Sequence, residues 1–138
     1  MVSSLLPYSA GARALLRGAE VPLLAKLLEY FHTRPDVRVL GPQVAEQRAA
    51  TVSFVSETIE PLEMVRSLAR RGFMAGNGNF YAVRLLEAMN VNADRGAIRL
   101  SLVHYNSSAE VEGVIEALEQ VLGPQAATRR ASAARHER

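Results

Sequence analysis

Apolar residues fall into a helical pattern from Val21 onward, with Leu23, Leu24, Leu27, Leu28 and Phe31 on one face. Arg34-Pro35-Asp36 ends that helix, because the residue before a proline avoids helical angles. Val37-Arg38-Val39-Leu40 alternates as a short strand closed by Gly41-Pro42, and Ala50 to Ser56 forms a second strand with Val52 and Phe54 on one face. Pro61 suits the first turn of a helix, where its missing N–H costs nothing. That helix is expected to bury Leu62, Val65, Leu68 and Ala69 and to stop at Gly72. Gly76-Asn77-Gly78-Asn79 reads as a turn-rich loop before a helix from Phe80 to Met89, which Asn90 can close.

Asp94-Arg95-Gly96 turns the chain into a strand from Ala97 to His104. Ile98, Leu100 and Leu102 share one of its faces; Arg99, Ser101 and Val103 share the other. Asn106 shapes the following turn, and Ser107 with Glu110 makes a capping box that opens the last helix. Its stripe of Val111, Val114, Ile115 and Leu118 needs something to pack on, and Gly123-Pro124 ends it. This order predicts an α+β two-layer sandwich: a mostly antiparallel three-stranded sheet with helices packed on one face. Residues 1–18, with Gly11, Gly18 and Pro7, are expected to be partly ordered at best. The folded domain then covers 19–124, and 125–138 forms a basic tail expected to be disordered.

Length and composition narrow the classes. A chain of 138 residues with 49% apolar and 22% charged residues fits one globular domain. No apolar run approaches the roughly 18 to 20 residues that span a bilayer, so no membrane partner is expected. Val2-Ser3-Ser4-Leu5-Leu6-Pro7 lacks the basic start of a secretory signal, and with no cysteine there is no disulfide framework; a cytoplasmic setting is expected. The net charge of +2 is misleading: Arg129, Arg130, Arg135 and Arg138 against Glu137 put +3 in the tail, so the rest sums to −1. A nucleic-acid binder needs its basic face on the folded body, and none is expected here. His32 and His136 have no ligand partners in the pattern, His104 reads as a hydrogen-bonding or packing residue, and no metal site is expected. Glu57, Glu60 and Glu63 read as solvated charges at a helix start, where the helix dipole welcomes them.

The sequence pieces also form a familiar series. Leu24-Ala25-Lys26-Leu27-Leu28 precedes Val37-Arg38-Val39-Leu40-Gly41-Pro42, then Arg48-Ala49-Ala50-Thr51-Val52-Ser53-Phe54 and Leu68-Ala69-Arg70-Arg71-Gly72. Asn79-Phe80-Tyr81-Ala82 follows, and the series ends in Ile98-Arg99-Leu100-Ser101-Leu102-Val103-His104-Tyr105-Asn106-Ser107. From about Glu20 to Gly123 the chain resembles the C-terminal small domain of class V aminotransferase-fold enzymes, the pyridoxal-phosphate enzymes of fold type I, in their cysteine desulfurase-like branch.

The resemblance implies that Arg99 grips the carboxylate of an amino-acid substrate, a task suited to a planar guanidinium with paired donors. It aligns Tyr81 with the position of the sulfur-accepting cysteine in true desulfurases. Persulfide chemistry requires a thiolate there. Asn79 and Tyr81 are candidates to line the substrate cleft, or else a helix cap and a packed aromatic. Pyridoxal-phosphate chemistry also needs a lysine to hold the cofactor. The one lysine, Lys26, lies in what resembles the family's linking helix, not its lysine-bearing loop. No catalytic residue and no cofactor are therefore expected on this chain alone, and a lysine-bearing large domain or a homodimer partner is implied. Two readings compete: a truncated or split small domain that contributes substrate binding, or a free-standing α+β binding or dimerisation module without catalytic activity.

Overall fold

Where each element starts and stops follows from a few local signals, with tertiary contacts moving some of the boundaries. In the computed structural model the described residues are 6–124; residues 1–5 and the tail at 125–138 lie outside them. Helix α1 spans Leu6–His32, with Pro22 inside it. Its C-terminal half buries Leu24, Leu27, Leu28 and Phe31, the stripe read from the sequence. The helix also continues through Gly18 and Gly11, where Arg17 anchors it by donating to the carbonyls of Arg48 at 2.7 Å and Glu46 at 2.9 Å. That tertiary anchor outweighs the weak helix propensity of glycine.

Strand β1 (Val37–Leu40) pairs antiparallel with β2 (Thr51–Ser56), across a connection that includes a single 3₁₀ turn at Ala45–Gln47. Helix α2 (Pro61–Ala69) follows, and the turn that closes it runs to Gly72, whose φ of 86° suits a residue without a Cβ. The buried face of α2 is Pro61, Met64, Ser67 and Leu68; Leu62 is exposed. The helix is thus rotated from the expected Leu62, Val65, Leu68 and Ala69 face, with Met64 filling the core in place of Leu62.

Gly76–Gly78 is strand β3, where the sequence suggested only a loop. It lies antiparallel to β4 (Ala97–Ser101), giving a four-stranded sheet in the order β1-β2-β4-β3 in place of the expected three strands. The strand is held by backbone hydrogen bonds, which Gly-Asn-Gly leaves no side-chain pattern to announce. Close approach depends on Gly96: a Cβ there would lie 2.5 Å from the carbonyl carbon of Gly78.

Val52, Phe54, Ile98 and Leu100 face the helical layer formed by α1, α2 and α4 (Ser108–Leu122). The rings of Phe31 and Phe54 meet at 4.6 Å between centroids. Ser107 and Glu110 form the expected capping box at the start of α4. The two-layer α+β sandwich therefore stands, with one addition. A short helix α3 (Val83–Ala88) lies against the other face of the sheet, where Leu86 packs with Leu40, Val91 and Ala97. It starts later than Phe80 because Phe80 and Tyr81 have φ of 50° and 59°, outside a right-handed helix.

A buried ion pair ties the layer together at the turn between α1 and β1. The Arg34 guanidinium bonds Asp36 through both carboxylate oxygens, at 2.9 and 2.7 Å, and donates to the carbonyl of Gly123 at 2.9 Å. Its side chain is 0% exposed, so the pair fastens the end of α4 to the start of the sheet.

Candidate functional site

The sheet's second face, the one that α3 only partly covers, carries the candidate chemistry. Strand alternation sends Ile98 and Leu100 into the core and Arg99 to this face, between Ala97 and Ser101. Register fixes its neighbours: Arg99 stands opposite Ser53 of β2 on one side and Gly76 of β3 on the other. Ser53 adds a small hydroxyl beside it, and Gly76 adds nothing but space.

That space is used. The Phe80 ring lies over the Arg99 guanidinium, 4.2 Å from carbon to ring centroid, a cation–π contact. A Cβ on Gly76 would sit 3.3 Å from the same ring, so glycine lets the phenyl group settle onto the arginine. The positive φ of Phe80 and Tyr81 turns the chain back over the sheet, and the Asn79 side-chain oxygen secures the turn by accepting the Tyr81 N–H at 3.0 Å. Among the described residues no carboxylate forms a salt bridge with Arg99.

Arg99, Asn79, Phe80 and Ser53 border a hollow of about 340 Å³ between the sheet and α3. Its floor and far wall are apolar, made chiefly by Leu40, Leu85, Leu86, Met89 and Ala97. An apolar cleft of this size with few polar groups is the usual form of a small-molecule site. Of the three site residues expected from sequence, Arg99 and Asn79 border this hollow, whereas Tyr81 does not line it and stands fully exposed, at 104% of its reference surface. Phe80 is the member that sequence reasoning missed. Its signal was the Gly76 opposite Arg99, invisible until β3 is known to pair with β4.

Lys26 is found in the other layer. It extends from α1 to Glu112 and Ser108 on α4, and its hydrogen bond and charge hold the Glu112 carboxyl below its ordinary range. His104 meets the Tyr105 ring edge-on at 5.2 Å, and Asn106 accepts the Val103 N–H at 2.7 Å, which makes the turn before the cap. Among the described residues no cluster of three or more His, Cys, Asp or Glu could hold a metal ion, and no helix is long and apolar enough to cross a membrane.

The fold is an α+β two-layer domain with an arginine at the rim of an apolar hollow, and the sequence comparisons give it a family. Residues 13–114 match the model of the class-V aminotransferases, so the chain belongs to that family. An aminotransferase-like protein of Gibberella zeae is 35% identical over 109 residues, 75% of this chain and 26% of that protein. A probable cysteine desulfurase of Pseudomonas putida is 36% identical over 104 residues, 75% of this chain and 24% of that one. The apo structure of a cysteine desulfurase from Thermococcus onnurineus NA1 superposes with a TM-score of 0.71 at 24% identity, over 78% of this chain and 26% of that one, a likeness of fold. The chain thus spans about a quarter of the length of these curated relatives.

Class-V aminotransferases and cysteine desulfurases are pyridoxal-phosphate enzymes. The described residues do not fit that cofactor by themselves. The chain's one lysine, Lys26, is engaged by Glu112 in the layer on the opposite side of the sheet, and the hollow's lining holds one cation and no aspartate to meet a pyridinium nitrogen.

Proposed function

We propose that this chain is the substrate-gripping small domain of a pyridoxal-phosphate-dependent enzyme acting on an amino acid, with Arg99 taking the substrate carboxylate. The observation that carries this reading is the Arg99 guanidinium at the rim of the hollow, covered on one face by Phe80 and in no salt bridge among the described residues; its paired N–H groups suit a planar anion. Asn79, whose oxygen is committed to the turn, has its amide N–H groups as a second donor toward the same ligand. A lysine-bearing domain supplies the cofactor and docks on this face, where Tyr81, Val83 and Leu85 stand exposed beside the hollow. The reaction does not run through a persulfide on this chain, because the sequence contains no cysteine. Chemical-shift titration of the chain with acetate tests the grip. Saturable shifts centred on Arg99, Phe80 and Ser53, absent in Arg99→Gln, are expected; shifts that survive the substitution would sink the assignment.

A second reading, a free-standing binding or dimerisation module, draws on the placement of Lys26 in the opposite layer. Sedimentation separates the two. A discrete dimer formed through the α3 face, lost in Leu85→Glu, would favour the module.

A further inference from the structure

The apolar body of the hollow says more than the arginine does. We infer that the site selects a monocarboxylate with an apolar tail, and this rests on the reading of Arg99 as the carboxylate grip. The lining has one cation, Arg99, and no aspartate or glutamate. A second carboxylate on a ligand would therefore find no charged partner, and neither would an ammonium group. What lies within reach of a ligand anchored at Arg99 is instead hydrocarbon: Leu40 and Leu86, both nearly buried, with Met89, Ala97 and Leu85 around them.

The few polar side chains do not change this balance. The Thr51 hydroxyl is already committed to the Leu100 carbonyl at 2.9 Å and to Ser101 at 3.1 Å. Asn79 spends its oxygen on the turn. Ser53 lies directly across from Arg99 in the β2–β4 register and belongs to the carboxylate end of the site. Phe80 serves both ends, since its ring covers the guanidinium and forms part of the apolar wall. It is a positioning residue for Arg99 and a contact for the tail. The chemical class this selects is an aliphatic or aromatic acid with one carboxylate; on an amino-acid substrate it corresponds to an apolar side chain, with the amine held from outside this domain.

Shift titrations of the intact chain with acetate, hexanoate, hexanamide and succinate test the inference. Each fully buried methylene is worth roughly fourfold in affinity, so four methylenes about half-buried give hexanoate an advantage of about 15-fold over acetate. Hexanamide, which lacks the charge, is expected to bind at least about tenfold more weakly than hexanoate, and succinate no better than acetate. Leu85→Asn, at a residue 60% exposed and so tolerant of change, narrows the hexanoate-to-acetate ratio. Equal affinities for acetate and hexanoate, both abolished by Arg99→Gln, overturn the apolar selection and leave the grip standing. Absence of any carboxylate binding that depends on Arg99 overturns both.

Discussion

Replacing Gly96 by alanine tests how the short strand β3 builds the candidate site. Gly96 has a φ of 75°, and an alanine held in left-handed geometry loses about 1 to 2 kcal/mol. The larger cost is steric. The new Cβ would lie 2.5 Å from the carbonyl carbon of Gly78 and 2.7 Å from its Cα, and both are backbone atoms of β3. Nothing flexible can yield, so β3 must move away from β4. Giving up even two ladder hydrogen bonds adds about 2 kcal/mol at roughly 1 kcal/mol each. Gly72→Ala is the control: its φ is 86°, but a Cβ there meets nothing within 4 Å, so it bears the conformational cost alone. The two variants should differ by about 2 kcal/mol, or about 6 to 12 °C in melting temperature for a domain of this size. Urea unfolding followed by circular dichroism reads the difference. Phe80 follows β3 in the chain, so Gly96→Ala should also weaken hexanoate binding, while Gly72→Ala leaves it intact. A Gly96→Ala variant no less stable than Gly72→Ala would refute the reasoning about this contact.

Three other outcomes are expected. Asp36→Asn removes the negative charge facing the fully buried Arg34 and replaces one of its two acceptor oxygens with an NH2, leaving one amide oxygen, the Gly123 carbonyl and a 3.8 Å approach to Glu119. It should cost about 3 kcal/mol in urea unfolding, and a loss under about 1 kcal/mol would contradict the role given to the pair. Glu110 is held below the ordinary carboxylate range chiefly by the Ser107 backbone N–H, then by the Ser107 hydroxyl and Asn106. Because its folded value is depressed, its stabilisation is complete above the unfolded value and disappears as pH falls through the folded one, so the deficit of Glu110→Gln should be present at about pH 7 and shrink by about pH 3. An equal deficit at both would contradict this. Finally, the chain mixed with pyridoxal phosphate and an amino acid should show no aldimine absorbance, no turnover and no stoichiometric borohydride-fixed adduct on Lys26, as read by intact mass. A stoichiometric adduct on Lys26 with turnover would refute the assignment of cofactor binding to another domain.

Features set by neighbouring residues in the chain were readable from the sequence. β1 runs from Val37 to Leu40 as the alternation indicated, Gly72 and Asn90 take the left-handed conformations that close their helices, and the Ser107–Glu110 box caps α4. Features set across the fold were not. Arg17 stabilises the early turns of α1 by reaching the 3₁₀ turn, and nothing around Gly11 and Gly18 signals it. β3 is paired only through its backbone. The face of α2 is chosen by the cavity that Met64 fills, which Leu62 and Met64 on a helical wheel do not decide. At the site, alternation put Arg99 on the correct face, and the Asn79–Tyr81 loop was singled out. The partner that covers the guanidinium is Phe80, because two residues of positive φ turn its ring inward and send Tyr81 to solvent.

The location of a bound carboxylate tests the central claim most directly. The domain offers a competing place for an anion, a hollow of about 270 Å³ lined by Arg38 and Arg95 at the other end of the sheet. A crystal structure of the chain grown with hexanoate is predicted to hold the carboxylate about 2.8 Å from the Arg99 guanidinium nitrogens, with the alkyl chain against Leu86 and Met89. Hexanoate bound at Arg38 and Arg95, with Arg99 left free, would contradict the account.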